Sequence, residues 1–363
     1  MQDENRIIHL WREILTHSIK CKATDIHIEP CNEYTLVRCR IDGALQSYRK
    51  INSDWHDHLI AHIKIQASLD IAEKRLPQDG RLSIDKIDCR VSSLPTLSGE
   101  KIVVRILFHD PKQLNINNLG FNEAQLDVVM HSLKQPQGLF LVTGPTGSGK
   151  TVTLYSCLNH LNDGTRNISS VEDPVEIRIN GINQISINPK IGFDFLIVLK
   201  ALLRQDPDII LIGEIRDLQT AQIALQAAQT GHLVFASLHT NNAISTVDRL
   251  INLGCDKELI ASCLHLVSAQ RLIRKICTTC NGQIKIPCPE CNNTRYAGRI
   301  AVHEVLGITS DIRKQLRNSA NYDELWSQAK NSGVSSMFDN GMQLVTQGIT
   351  SLAEVHRQIG QYH

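Results

Sequence analysis

One stretch restricts the fold more than any other. Leu139-Phe140-Leu141-Val142 is a short unbroken apolar run, Gly144-Pro145-Thr146-Gly147-Ser148-Gly149-Lys150-Thr151 follows it, and Val152 to Leu161 continues at helical spacing. The eight central residues satisfy G-x-x-x-x-G-K-[ST] in the strand–turn–helix setting that this pattern requires. Glycines let the backbone curl so that its N–H groups converge on a phosphate, and the helix that follows adds partial positive charge. Lys150 is then set to pair with the β- and γ-phosphates of a nucleotide, and the Thr151 hydroxyl to ligate Mg²⁺. A glycine-rich turn that matches by chance would have to fill every position in the right context.

The surrounding chain agrees with that setting. Ile168 to Val171, Ile209 to Ile212 and Leu233 to Ser237 are further apolar runs, separated by helical stretches such as Leu218 to Gln229. Fully apolar strands alternating with helices predict a parallel sheet covered on both faces. Nearer the N-terminus the periods differ. Ile7, Ile8, Trp11, Ile14, Leu15 and Ile19 fit one helical face, Asp25 to Glu29 alternates as a strand, and Leu36 to Ile41 ends at the turn pair Asp42-Gly43. A helix is expected over Trp55 to Ile71, and strands around Leu82 to Ile84, Cys89 to Val91 and Lys101 to Leu107. Residues 1–111 thus read as a small α+β domain, 112–120 as a linker, 121–276 as the α/β core, 277–300 as a cysteine segment and 301–363 as a helical region. Beyond Asp256 the chain reads helical apart from the cysteines, with Ser351 and Glu354 as a capping-box pair opening the last helix.

With 363 residues, 42% of them apolar, the chain is long enough for two folded domains. Its 38 basic and 37 acidic residues leave a net charge of +1, so the whole molecule has no general attraction to nucleic acid, and direct nucleic-acid binding is not expected. No apolar run approaches the ~20 residues of a membrane span, and residues 1–20 have no signal-peptide core, which points to the cytoplasm. In a reducing compartment, paired cysteines point to metal. Cys277-x-x-Cys280 and Cys288-x-x-Cys291 offer four thiolates for tetrahedral Zn²⁺ with no position left open, hence a structural site. Redox pairs or four unliganded thiols are the alternatives.

Carboxylates come next. Asp206-Pro207-Asp208 leads into the 209–212 run, which ends in Gly213-Glu214. An acid at the carboxyl end of a parallel strand faces the crevice where such sheets bind ligands, so Glu214 is placed for Mg²⁺ or the attacking water. The alternative is an acid that merely starts a loop. Glu172, Asp173 and Glu176 also follow a strand; alone they would read as a solvated loop, but beside a phosphate loop Glu172 and Asp173 become Mg²⁺ candidates. His232 and His239 flank the 233–237 run. Histidines near strand ends are usually structural, yet His239 would lie at the phosphate edge, where an imidazole can sense the γ-phosphate.

Together these stretches resemble the secretion ATPase superfamily, specifically the type II secretion and type IV pilus assembly ATPases. The likeness runs from about Ala23 to Leu306. Ala23-Thr24-Asp25-Ile26-His27-Ile28-Glu29-Pro30, Arg75 to Arg81 and Arg90 to Thr96 are similar to the N-terminal signatures, Glu172 to Glu176 to the Asp box, Leu203 to Asp217 to Walker B, and Thr230 to Asn241 to the His box. The resemblance implies a PAS-like N-terminal domain before a RecA-like ATPase domain with a zinc-binding insert. It also implies a homohexamer with nucleotide at subunit boundaries. Arg90, Arg105 and Arg81 would then reach the phosphates, where an always-charged guanidinium suits a transferring phosphoryl group. Each of these arginines, taken alone, reads as a surface or hairpin residue.

Either Glu176 or Glu214 is the implied general base; the preferred division gives water to Glu176 and Mg²⁺ to Glu214, with His239 and His232 assisting. The implied activity is ATP hydrolysis, with Mg²⁺ and structural Zn²⁺, driving pilin or pseudopilin assembly for pili, protein secretion or DNA uptake. Partners would be an inner-membrane platform protein and a cytoplasmic adaptor, so the chain would sit peripherally on the inner membrane. Larger members carry an extra N-terminal docking domain, which this sequence is expected to lack. A retraction or conjugation-type motor is the same-fold alternative, against which the tetracysteine site speaks. A nucleotide-binding scaffold without turnover would be expected to lose Lys150, Glu176 or Glu214, and all three are present.

Overall fold

The computed structural model describes residues 2–84, 87–107, 114–283, 287–318 and 321–360. It divides into two compact units, Met1–His109 and Asp110–His363. The end of the expected first domain (108–111) and parts of the expected linker (112–113), cysteine segment (284–286) and C-terminal region (319–320 and 361–363) lie outside the described residues.

In the first unit α1 (Gln2–Lys20) leads into β1 (Asp25–Pro30), β2 (Tyr34–Ile41) and β3 (Ala44–Asn52). Then come α2 (His56–Gln66), β4 (Gln78–Ile84), β5 (Ile87–Thr96) and β6 (Gly99–Leu107). The strands form one antiparallel sheet in the order β3-β2-β1-β6-β5-β4. Alternation explains its two faces. Ile26, Ile28, Val37, Val91, Ile102 and Val104 are buried with Trp11 and Ile14 of α1 and Leu59 and Ile63 of α2. The intervening residues, among them Asp25, Glu29, Arg40, Arg90 and Arg105, fall on the opposite face, which is charged. Asp42 and Gly43 both have positive φ, as the expected tight hairpin demands. The expected helix to Ile71 stops at Gln66, because Ser68 turns left-handed (φ 57°) and Leu69 N donates back to Lys64 O at 2.9 Å.

The second unit opens with α3 (Glu123–Leu133), β7 (Gly138–Thr143), α4 (Lys150–Leu161), β8 (Ile168–Glu172) and β9 (Asn183–Ser186). It continues through α5 (Phe195–Leu202), β10 (Ile209–Ile212), α6 (Leu218–Gln229), β11 (Leu233–Leu238), α7 (Ala243–Asn252) and α8 (Lys257–Cys263). The long strands β12 (Leu264–Ile276) and β13 (Tyr296–Gly307) follow, then α9 (Ser310–Arg317), α10 (Tyr322–Asn331), α11 (Met337–Thr346) and α12 (Leu352–Ile359). One sheet runs β13-β12-β7-β11-β10-β8-β9, parallel except for the β12–β13 pair. The central strands are buried at every residue. Leu139, Leu141, Ile210, Ile212, Val234 and Ala236 pack toward α5 to α8, while Phe140, Val142, Leu211 and Phe235 pack toward α3 and α4. That two-sided burial is why these strands read as unbroken apolar runs.

The helical reading beyond Asp256 is corrected by β12 and β13. β12 packs on both faces, Leu266 among the residues of α3 and α4 and Val267 and Ala269 among those of the opposite cluster, so no apolar–polar alternation survives. Its buried Ser268, Gln270 and Arg271, with His303 and Glu304 on β13, break the apolar run as well. Ala301 to Gly307, expected as helix, are therefore strand, and the cysteine segment joins the two strands. The capping box at Ser351 is also only half formed. Ser351 Oγ accepts from Glu354 N at 3.2 Å, but the Glu354 carboxylate is buried against Arg274 (2.7 Å) and Arg357 (2.6 Å) instead of returning to the cap. No helix among the described residues is long and apolar enough to cross a membrane.

Candidate nucleotide site and cysteine cluster

Register brings the expected site residues to one edge. Leu141, Ala236, Ile212 and Val171 stand level on β7, β11, β10 and β8. Gly144, His239, Glu214 and the Glu172–Glu176 segment therefore all emerge at the carboxyl ends of parallel strands. His232 does not join them. It precedes β11, its Nδ1 faces Ala227 O at 2.9 Å, and its own carbonyl accepts from Gly138 N at 3.0 Å. A strand of this length spans about 20 Å, so His232 sits at the far edge, and its expected catalytic part is withdrawn. It is a strand-start anchor.

The phosphate loop has the backbone its glycines permit. Gly144, Gly147 and Gly149 have φ of 147°, 79° and 90°. A Cβ on Gly144 would lie 2.5 Å from Gln270 O and 2.6 Å from Ser148 Oγ, so no side chain fits there. Gly149 is the left-handed N-cap of α4, which Lys150 and Thr151 open. Lys150 Nζ folds back into the loop, donating to Gly144 O (2.8 Å) and Pro145 O (3.2 Å). Burial pulls its pKa down to about 8, helped by Arg271 and opposed by Glu214 and Glu176. Ser148 is 3% exposed, and its Oγ has no hydrogen-bond partner. An orphaned hydroxyl, a left-handed glycine loop opening a helix and a half-buried ammonium fit a bound phosphate.

A chain of polar contacts runs away from Lys150. Its Nζ lies 3.5 Å from His239 Nδ1, His239 Nε2 lies 3.3 Å from Glu214, Glu214 accepts from Arg216 at 2.9 Å, and Arg216 lies 3.9 Å from Asp173. Burial and Lys150 lower the His239 pKa, with Arg216, against the pull of Glu214. Nδ1 thus faces the Lys150 ammonium and Nε2 the Glu214 carboxylate, contacts that an imidazole carrying its proton on Nε2 would satisfy together. Glu172 stands apart from this chain. Its carboxylate is buried, held by Ser170 Oγ at 2.6 Å and by the Tyr155 hydroxyl, and burial raises its pKa. With its oxygens so occupied, Glu172 braces the end of β8, and its expected role as a Mg²⁺ ligand is withdrawn. Glu176 is exposed, with its backbone N donating to the Tyr155 hydroxyl oxygen at 3.4 Å.

Several positioning groups escaped the sequence reading. Gln270 Nε2 donates to Ser148 O at 2.7 Å and clamps the loop against β12. Arg271 donates to Gln270 O (3.1 Å) and to Asn241 Oδ1 (3.2 Å), tying the segment after His239 to the same strand. Thr143 and Thr240 share a 2.7 Å hydroxyl contact beside the loop. Gln270 and Arg271 were hidden by the mistaken helix. Arg216 and Tyr155 lay in view, but only a buried carboxylate or an ion pair gives them away.

Arg81, Arg90 and Arg105 belong to the first unit, adjacent in register on β4, β5 and β6. In the second unit, the four sulfurs of Cys277, Cys280, Cys288 and Cys291 lie within 4.8 Å of one another, all buried. Cys277–Cys288 and Cys280–Cys291 are 3.8 and 3.7 Å apart. Bonds of about 2.3 Å in a tetrahedron give sulfur–sulfur edges of about 3.8 Å. Backbone N–H groups of Cys280 and Thr279 pull the Cys277 thiol down to about 7, toward the thiolate a metal needs. The cluster fits zinc.

The family model described as "Type II/IV secretion system protein" matches residues 1–357. The chain is 46% identical to the type II secretion system protein HxcR of Pseudomonas aeruginosa, over 98% of this chain and 78% of that one. It is 43% identical to the type IV pilus assembly ATPase PilB of Acinetobacter baylyi, over 98% of this chain and 67% of the other. Among solved structures, the pilus retraction motor PilT with bound ADP superposes with a TM-score of 0.68 at 25% identity, covering 95% of each chain. The ATPase DotB of Legionella pneumophila, at 20% identity and a TM-score of 0.74 over 96% of this chain and 94% of its own, shares the fold. Matches of this length and identity, on a chain whose strand edges already gather a phosphate loop and its acids, make it a member of the type II/IV secretion system protein family, a secretion and pilus ATPase.

Proposed function

We propose that this ATPase works as a homohexameric motor that drives pilin or pseudopilin assembly through an inner-membrane platform protein and a cytoplasmic adaptor. The observation that carries the reading is the continuous chain from Lys150 through His239 to Glu214 at the mouth of the phosphate loop. The loop amides and Lys150 would grip the triphosphate, and Thr151, Glu214 and Asp173 are the groups that would hold Mg²⁺. Held there, the metal would supply positive charge to offset that of the phosphate oxygens. Glu176, exposed and without the ion pairs that engage Glu214, would take the proton of the attacking water. His239, set between Lys150 and Glu214, would report the γ-phosphate to Glu214. Arg90, Arg105 and Arg81 of a neighbouring copy would complete the charge on the phosphates. The zinc cluster would hold the β12–β13 connection and take no part in chemistry.

Relatives named for type II secretion and for pilus assembly support the assembly role, and the tetracysteine cluster speaks for it against retraction. The test is phosphate release with and without Mg²⁺ by the wild type, Lys150→Ala and Glu214→Gln. Mg²⁺-dependent release lost in both variants supports a motor. Equal slow release by all three would leave a nucleotide-binding scaffold.

A further inference from the structure

The first unit carries an uneven row of charge. Register sets Arg40, Asp25, Arg105, Arg90 and Arg81 side by side on five neighbouring strands. At about 4.8 Å per strand, four arginines share a strip about 20 Å long, an arrangement that repels itself unless something holds each guanidinium in place. Asp25 is the acid in that row, and it is 6% exposed. Its Oδ1 accepts from Arg105 Nε at 2.9 Å, and its Oδ2 accepts from Thr24 Oγ1 at 2.8 Å and lies 3.8 Å from Arg40 Nε. Thr24 is itself fixed: its N donates to Arg40 O at 2.8 Å, and its O accepts from Ile106 N at 2.9 Å.

The Arg105 contact is made through Nε. The carboxylate therefore grips the guanidinium by its root and leaves the two terminal nitrogens beyond it, on a side chain that is 57% exposed. A long arginine normally wanders among many rotamers. Tied at Nε to a buried, doubly held acid, it keeps its fork in one orientation before any ligand arrives.

We infer that Asp25 is a positioning residue that presents the Arg105 guanidinium to a nucleotide phosphate. The inference rests on the proposal above that Arg105 meets that phosphate. Asp25 touches no substrate and acts through Arg105. A merely structural Asp25 would need only its negative charge among the arginines. A positioning Asp25 also needs its length, since one added methylene moves the fork by about an ångström, enough to cost about 10- to 100-fold in turnover.

The experiment measures kcat and KM for Mg²⁺-ATP, with melting temperature, on the assembled full-length wild type and four variants: Asp25→Asn, Asp25→Glu, Arg105→Ala and Asp25→Glu with Arg105→Ala. Arg105→Ala should lose about 100-fold or more in kcat, as for an arginine removed from a transferring phosphoryl group. Asp25→Asn and Asp25→Glu should each lose about 10-fold in kcat with KM little changed. Asp25→Glu should melt like the wild type, and the double variant should be no slower than Arg105→Ala alone. Wild-type turnover in Asp25→Glu, or losses that multiply in the double variant, would overturn the inference even if Arg105→Ala is slow. Wild-type turnover in Arg105→Ala would instead remove the arginine's proposed role, and the inference with it.

Discussion

Nucleotide affinity should weaken as pH rises, and Lys150 sets the size of the effect. Burial among the loop carbonyls holds its ammonium at a pKa of about 8 before nucleotide binds. A triphosphate alongside favours the charged form, so the bound state keeps its proton where the free state gives it up. Binding then takes up a proton, and the apparent Kd grows as one plus ten to the power of pH minus pKa. For a pKa of about 8 the factor is about 1.1 at about pH 7 and about 11 at about pH 9, a tenfold loss worth about 1.4 kcal/mol. The last phosphate ionisation, near a pKa of about 6, is largely complete by then and acts in the opposite sense. The assay is titration of a fluorescent ATP analogue with Mg²⁺ at constant ionic strength between those two pH values. Lys150→Arg, whose guanidinium stays charged throughout, should bind more weakly overall but with a flat profile. A flat wild-type profile, or the same slope in Lys150→Arg, would refute the reasoning.

Other outcomes follow from the same geometry. The purified chain should carry about one Zn²⁺ per copy by elemental analysis, and Cys280→Ser or strong chelation should lower the melting temperature; metal-free protein with unchanged melting would contradict this. Glu354→Gln should cost about 3 kcal/mol by breaking a buried carboxylate held by two arginines. Although burial pushes Glu354 up, hydrogen bonds from Arg357 and Arg274 hold it down at about 2 in place of the usual 4.5. Its contribution is therefore full above the usual value and lost as pH falls toward about 2, so denaturant melts should show the gap between wild type and Glu354→Gln closing with acid. A gap that does not change with pH would count against the pairing. Tyr155→Phe should cost about 1–3 kcal/mol, because it strips a donor from buried Glu172; it should also slow turnover by loosening the Glu176 backbone. Wild-type stability in that variant would show that Glu172 does not depend on the phenol.

The parallel core was legible because its strands are buried on both faces and bounded by turn residues. Leu139 to Val142 and Ile209 to Ile212 could not be much else, and Gly144 to Thr151 carried its own context. β12 was illegible for a related reason. Covered on both sides, it shows no alternation, and Ser268, Gln270 and Arg271 interrupt the apolar run just where they serve the loop. Site residues divided in the same way. Position in a motif placed Lys150, Glu214 and His239 at one edge, but it could not show that Glu172 spends its oxygens on Tyr155 and Ser170. Those contacts depend on register and burial, which a single chain of letters does not state. Arg81, Arg90 and Arg105 stood far apart in the sequence, and only strand pairing shows them as one row.

The central claim is tested most directly by a structure of the protein with a non-hydrolysable ATP analogue and Mg²⁺. The account predicts phosphate oxygens within the Gly144–Thr151 loop, Lys150 Nζ moved from the carbonyls of Gly144 and Pro145 onto the phosphates, and Glu214 turned from Arg216 toward the metal. Nucleotide bound elsewhere, or bound with Lys150 still on its own loop carbonyls and Glu214 still on Arg216, would contradict it.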